Sequence, residues 1–415
     1  MSARPDPSVR NAPPGAVDVV LIGTGVAPLV AAKGLLEAGK SVLLLNPDFD
    51  YFREQSELPL HPFPGGDAPN GLKRWLRSDH EQALEALRPE FPGAVEFWSS
   101  QIQKTGASSG YRDRHAPHVR QRSRLMISPR VSSGKRDPDL EACFIEASDA
   151  GMVPQLLEGI QAWSKFPGFS ARGGTARVGA EYRGLWMPRG CDFDVARYRN
   201  GIQEFVRERA GESSIFCAVS NIELFDEGIR YHSPSGVRTT RVNEGVLAYW
   251  TPRLTPWIEQ WIGKTGTSRM PRPEGVRLYE EWSLVSKEEL DPEIQGVFEG
   301  MTVWAECEGV PEAPHRLAVL RPGEVRRMGD TSEDWVGAES FQAVNRLCRE
   351  FLLWEKFTIR AMRPRMILEW KEARPFRLDA GGRFAAWVVC PADGPLSDVV
   401  YSARESVALC TGTGP

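Results

Sequence analysis

The chain has 415 residues, 41% hydrophobic and 26% charged, with a formal net charge of −4. That length allows two or three domains, and the balanced charge argues against nucleic acid or an anionic membrane as the partner. No apolar run reaches the ~18 residues of a membrane span.

The opening "MSARPDPSVRNAPPGA" is polar and Pro-rich and lacks the apolar core of a signal peptide. We read residues 1–16 as a disordered lead and expect a cytoplasmic protein. The cysteines stand at 143, 191, 217, 307, 348, 390 and 410, with no C-x-x-C among them. An odd, scattered set suits reduced thiols better than a disulfide framework or a zinc site. The remaining metal signature is His115 and His118, an H-x-x-H without a glutamate between them or a nearby cysteine pair. No metal is expected there.

The first ordered stretch is "VDVVLIGTGVAPLVAAKGLLEAGKSVLLLNPD", from Val17 to Asp48. "VDVVLI" and "SVLLL" are near-continuous apolar runs, as in parallel strands buried on both faces. Between them, Leu29, Ala32, Leu35 and Leu36 recur at helical spacing, and Gly39 is a C-terminal stop. Gly23-Thr24-Gly25 therefore sits between a buried strand and a helix, the context in which a glycine turn cradles a diphosphate. The first glycine permits the turn, the second lets backbone approach the ligand, and the helix N-terminus adds N–H donors and partial positive charge. Pro28 occupies the place of the usual third glycine, within the first helical turn, where a missing N–H costs little. Asn46 ends the second strand where a carboxylate usually accepts the ribose hydroxyls. Asp48, after Pro47, is the nearest substitute.

Residues 47–136 are irregular, and 111–136 carry eight Lys or Arg against one Asp. The plain reading is a solvated loop, and the sharper one an electropositive wall for an anionic substrate or a protein partner. "EACFIEASDAGMVPQLLEGIQAWSKF" reads as helical on both sides of Pro154. Asp194 reads as the cap of the next helix. "SIFCAV", a hairpin turning at "SPSG", and "GVLAYW" read as strands. Further strands are expected at "RLYEEWSLV", "TVWAEC" and "RLAVLRPG". A helix with Phe341, Val344, Cys348, Phe351 and Leu352 on one face follows. The tail gives a strand, a Gly/Pro turn and an apolar helix. Neither "ARGGTARVG" nor "GDTSED" has the spacing of a P-loop or a calcium loop, and no G-x-S-x-G is present.

Four stretches taken in order resemble the D-amino-acid-oxidase-like FAD-dependent oxidoreductases, which have the glutathione-reductase-type fold. They are "GTGVAPLVAAKGLLEAGKSVLLLN", "PRGCDFDVARYRNGIQEFV", "CAVSNIELFDEGIRY…VNEGVLAYWTPRLTPW" and "KEARPFRLDAGGRFAAWVV". "RPGEVRRMGDTSED" is similar to a fifth segment of that family. The resemblance implies an α/β protein with a Rossmann-like FAD-binding domain and a second α+β domain containing an antiparallel sheet. The FAD-binding domain would be discontinuous, from 17–75, 185–265 and 375–415. The substrate domain would come from 76–184 and 266–374.

The same resemblance implies that Gly23, Thr24, Gly25, Val26, Ala27 and Pro28 hold the FAD diphosphate, with Asn46 and Asp48 near the ribose. It implies that Val219 lies against adenine, Ala248 and Trp250 beside the dinucleotide, and Asp393, Gly394, Pro395 and Leu396 at the flavin. Arg374 would anchor a substrate carboxylate, in the only catalytic role assigned. A covalent link through Cys390 is conceivable, with a buried strand cysteine as the default. The chain departs from the family pattern at Asn46, at Trp250, which replaces a glycine, and at "REQSELPLHPFPGGDAPN". The expected function is oxidation of an amine, amino acid or related small molecule. The alternatives are a flavin monooxygenase or peptide-maturation enzyme, and a non-catalytic escort protein like the Rab GDP-dissociation-inhibitor branch of this fold. The 47–136 insertion would be the surface for a protein partner.

Overall fold

The computed structural model describes residues 15–47, 119–129, 153–158, 182–193, 195–211, 214–216, 218–265, 271–287, 295–298, 301–306, 315–326, 338–351, 354–370, 374–378, 383–390 and 396–412, with isolated positions between 141 and 161. Two eight-stranded sheets organise them.

The first sheet begins with β1 (Ala16–Ile22), α1 (Val26–Glu37) and β2 (Val42–Leu45). The chain leaves for the second sheet and returns through α2 (Val195–Ala210) to β6 (Ile215–Phe216). It then runs through β7 (Ser220–Phe225), β8 (Gly228–Ser233) and β9 (Gly236–Tyr249). The sheet is completed by β15 (Phe376–Leu378), β16 (Ala385–Val389) and α5 (Leu396–Thr411). Five strands, in the order β6-β2-β1-β9-β16, are parallel throughout. The first three strands in sequence lie side by side in reverse order, and the fourth returns next to the first. This is the arrangement of an open doubly wound sheet, whose ligand crevice lies at the carboxyl ends of the strands.

The strand sequences dictate two cores. Alternate residues of a strand face opposite sides, so a continuously apolar strand needs cover on both. Val19, Leu21, Leu44, Leu247 and Tyr249 pack with α1, α2 and α5. Val20, Ile22, Leu45, Val246, Ala248 and Trp250 pack on the other side with the β7–β8–β9 meander and α3 (Thr255–Thr265). The hairpin turning at "SPSG" and the buried "GVLAYW" prove to be one strand. The first half of β9 pairs antiparallel with β8, and its second half enters the parallel sheet. Gly236 closes the hairpin at φ +110°, a conformation that favours glycine. Gly39, at φ +77° after α1, forms the expected helix stop.

The second sheet takes β3 (Val119–Pro129), β4 (Gln155–Glu158), β5 (Tyr182–Phe193), β10 (Gly275–Ser286), β11 (Gln295–Phe298), β12 (Met301–Glu306), β13 (His315–Arg326) and β14 (Thr358–Glu369). Its order is β14-β10-β13-β12-β11-β3-β5-β4, antiparallel except where β11 meets β3. One face packs Trp282, Leu284, Val303, Leu317 and Val319 against α4 (Ala338–Arg346) and the π-helical turn Leu347–Phe351 that follows it.

Two sequence expectations change here. After Pro154 the chain forms the edge strand β4 and not a helix, because pairing with β5 and burial of Leu157 outweigh local helix preference. On α4 the buried stripe holds Ser340, Val344, Leu347 and Cys348, while Phe341 is 48% exposed. Ser340 donates a 2.6 Å hydrogen bond to Glu280, and Arg321 donates another to Ser340. These bonds turn Ser340, and not Phe341, towards the sheet.

Candidate functional site at the carboxyl end of the parallel sheet

β1 ends at Ile22, and the next N–H, of Gly23, donates to the Leu45 carbonyl at 3.0 Å. The glycine turn is thus tied to the end of β2. Gly23 can have no side chain, since a Cβ there would stand 2.8 Å from the Cβ of Tyr249. Gly25 caps α1 at φ 84°, ψ −158°, a region open essentially to glycine alone. It offers no capping side chain, and the first turn holds no acidic residue. Nothing in the helix itself neutralises its positive end, which suits an anion. Pro28 is the third helical residue and is buried. Its missing N–H is one of those that no helical carbonyl could have reached.

Asn46 follows β2 with no exposed surface, and its carbonyl accepts the Val219 N–H at 3.0 Å. This bond fastens the meander to the strand end. Val219 and Ala248 are each 1% exposed. The side chain of Trp250 packs into the core on the α3 side. Its N–H donates to the Val389 carbonyl and its indole Nε1 to Thr255 Oγ1, both at 3.0 Å. Its ring meets Trp370 and Phe376 edge-on, at 5.2 and 6.0 Å. A tryptophan can therefore stand in the place of a glycine, because its bulk goes into the core on the α3 side.

The structure thus brings together Gly23, Thr24, Gly25, Val26, Ala27, Pro28, Asn46, Val219, Ala248 and Trp250 at the carboxyl ends of β1, β2 and β9. Leu396 is the first residue of α5. Asp48, Asp393, Gly394 and Pro395 lie outside the described residues, as do Asp194 and the pair His115 and His118. Arg374 is exposed, at the same end of the sheet beside β16. Its carbonyl accepts a hydrogen bond from Cys390 Sγ at 3.0 Å. Its guanidinium opposes the burial that raises the pKa of Glu405 on α5. Burial pushes the Cys390 thiol up to about 12, so it is no ready nucleophile. Among the described residues no group of His, Cys, Asp or Glu could hold a metal ion.

The basic run contributes β3. Its pairing with β5 shifts register between Arg122 and Arg124.

One pairing was not visible from the sequence. Tyr249 lies against Gly23 and shares a 3.0 Å hydrogen bond with Ser406 of α5. Its fully buried hydroxyl holds its proton far above the ordinary tyrosine range.

These residues fit a dinucleotide at the diphosphate. The turn admits no side chain at Gly23, Gly25 is conformationally fixed, and the α1 N-terminus is uncompensated. At the ribose an amide replaces the usual carboxylate, leaving one acceptor where two are common.

No family model matches the sequence, and no curated protein does. In three dimensions the chain is similar to glycine oxidase from Bacillus cereus ATCC 14579 over 96% of both chains, with TM-score 0.64 and 12% identity. It is similar to NikD, an unusual amino acid oxidase, over 97% of this chain and 95% of that one, with TM-score 0.63 and 13% identity. L-proline dehydrogenase from P. horikoshii matches over 97% and 95%, with TM-score 0.62 and 10% identity. The chain has the fold of these amino-acid-oxidase-like enzymes, along nearly its whole length. No helix of the described residues is long and apolar enough to cross a membrane.

Proposed function

We propose that the chain is an FAD-dependent oxidoreductase acting on an amino acid or related amine. The observation that carries this is the glycine turn between β1 and α1, set at the carboxyl end of a parallel sheet in a chain whose whole length has the oxidase fold. The parallel sheet and its helices form the dinucleotide-binding unit, and the second sheet with α4 forms the substrate unit.

A bound flavin supplies two-electron oxidation of the carbon bearing the amine nitrogen. The chain supplies position and charge. Gly23 to Pro28 receive the diphosphate, and Asn46 and Val219 wall the adenosine side. Tyr249 and Ser406 fix α5 against β9, so that the positive end of α5 at Leu396 is held for the flavin ring. Arg374, exposed beside β16, is the anchor for a substrate carboxylate. The basic run 111–136 favours an anionic substrate.

The absorption spectrum of the purified protein tests this reading. A flavin spectrum, bleached by an amino acid in the absence of oxygen, supports it. A colourless protein that FAD fails to reconstitute would sink it. That result would favour the second reading, a non-catalytic binding protein on this fold, whose motive is the absence of a carboxylate at Asn46.

A further inference from the structure

Trp250 stands at the carboxyl end of β9, where the family pattern has a glycine, and it is fully buried. A glycine has no side chain, so the contacts of this indole have no counterpart in that pattern. Five elements meet on the residue. From β9, its N–H holds the end of β16 through the Val389 carbonyl, and its Nε1 holds the first residue of α3 through Thr255 Oγ1. Its ring meets Trp370, the residue after β14, and Phe376, the first of β15.

Trp370 carries the contact to the second sheet. The preceding residue, Glu369, pairs with Arg277 of β10 at 2.6 Å, and its carbonyl accepts the Glu274 N–H at 2.8 Å. Leu368 stands opposite Val276 in the register of β14 and β10, and both pack in the same core as Trp250. The corner of the second sheet where β10 begins and β14 ends is thus built into a core of the parallel sheet. Close-packed interiors transmit displacement, and edge-on ring contacts are directional as well as attractive. A ligand that orders the end of β9 therefore also orders this corner.

We infer that Trp250 is a positioning residue that ties the placement of the substrate sheet to occupancy of the dinucleotide crevice. The inference rests on the FAD reading above. Reaction geometry is sensitive to shifts of about 1 Å, so a fixed corner favours a productive substrate pose.

Hydrogen exchange of the flavin-free protein, with and without ADP, tests this. ADP has the diphosphate and adenosine but not the flavin ring that would meet a substrate. In wild type, ADP is expected to slow exchange about threefold or more in residues 19–22 and 246–249, and also in 276–278 and 366–368. In Trp250→Phe and in Trp370→Phe, ADP should bind within about threefold of wild type and still slow the first group. The second group should lose about half or more of its slowing in each variant, and the double variant should lose no more than the worse single one. A merely structural role would speed exchange in both states and leave their ratio unchanged. If Trp250→Phe does not fold, Trp370→Phe decides alone. An ADP-dependent ratio at 276–278 and 366–368 that the variants keep overturns the inference. So does a wild type that binds ADP and slows only the first group, or a variant that no longer binds ADP. A wild-type protein that binds neither FAD nor ADP overturns the FAD reading itself, and this inference with it.

Discussion

The Cβ of Tyr249 fills the space that a Cβ on Gly23 would need, the two standing 2.8 Å apart. Gly23→Ala is therefore expected to destabilise the protein by about 1–3 kcal/mol, the range for forced overpacking. Because the clash is with the tyrosine Cβ and not its ring, Tyr249→Ala keeps the offending atom. The double variant should remain destabilised and should gain a cavity besides. Urea midpoints of the two single variants and the double variant check this, and a rescue by Tyr249→Ala would contradict it.

Gly25 and Pro28 make opposite predictions three residues apart. Gly25→Ala forces a side chain into φ 84°, ψ −158° and should cost about 1–3 kcal/mol, with loss of FAD binding. Pro28→Ala restores an N–H in the first turn of α1, where no helical partner exists. It should cost less than about 1 kcal/mol, from the freer unfolded chain, and leave FAD affinity nearly unchanged. Comparing chemical denaturation with FAD titration for both variants separates backbone strain from cofactor contact.

The β1-α1-β2 opening was legible because buried parallel strands are apolar throughout and the helix between them keeps its own period. The order of later segments revealed the interrupted layout, since each returning strand is a clear apolar run. Trp250 was not legible in the same way. Its identity suggested crowding beside a cofactor, but side-chain direction at the end of β9 depends on Trp370 and Phe376, more than a hundred residues away. Phe341 failed for a similar reason: Ser340, bonded to Glu280, takes the inward position at the start of α4, while Val344 and Cys348 are buried as expected. Local spacing could not foresee β4 either, because its pairing with β5 is a tertiary choice.

Asn46→Asp asks whether the end of β2 meets a ribose. With no surface exposed, the new carboxylate would lose hydration, and its pKa would rise above the ordinary ~3.9. A raised acid is least harmful while protonated, so the variant should match wild type in thermal melts near pH 4. It should fall below wild type as pH rises through the raised value. If the ribose hydroxyls lie there, FAD should narrow the deficit at pH 8, because a carboxylate accepts from both. A deficit that FAD leaves untouched would place the ribose elsewhere.

Glu280, Ser340 and Arg321 fasten α4 to the second sheet. Glu280 is 7% exposed and accepts from Ser340 at 2.6 Å and from Arg321 at 3.3 Å. Glu280→Ala leaves the Ser340 hydroxyl without its acceptor, while Arg321 keeps its bond to Ser340, and should cost about 1–3 kcal/mol. Glu280→Gln keeps an acceptor and should cost less. Denaturant midpoints for the two variants distinguish loss of the charge from loss of the contact.

Glu405 on α5 feels the charge of Arg374, in the segment before β15, and the two give a pH signature. Burial raises the Glu405 pKa, and the Arg374 guanidinium opposes that rise. Folding is thus favoured while Glu405 is protonated, and that contribution is lost as pH rises from the ordinary glutamate value through the raised one. Glu405→Gln should melt with wild type at pH 4 and above it at pH 8, by about 1–2 °C, since the group is half-buried. Arg374→Ala removes the opposing charge, so in that background the Glu405→Gln advantage should open at the same ordinary glutamate value but grow larger and level off at a higher pH. If Glu405→Gln instead melts below wild type at pH 8, attraction to Arg374 outweighs burial. Arg374 would then be committed to α5 and not available to anchor a substrate carboxylate.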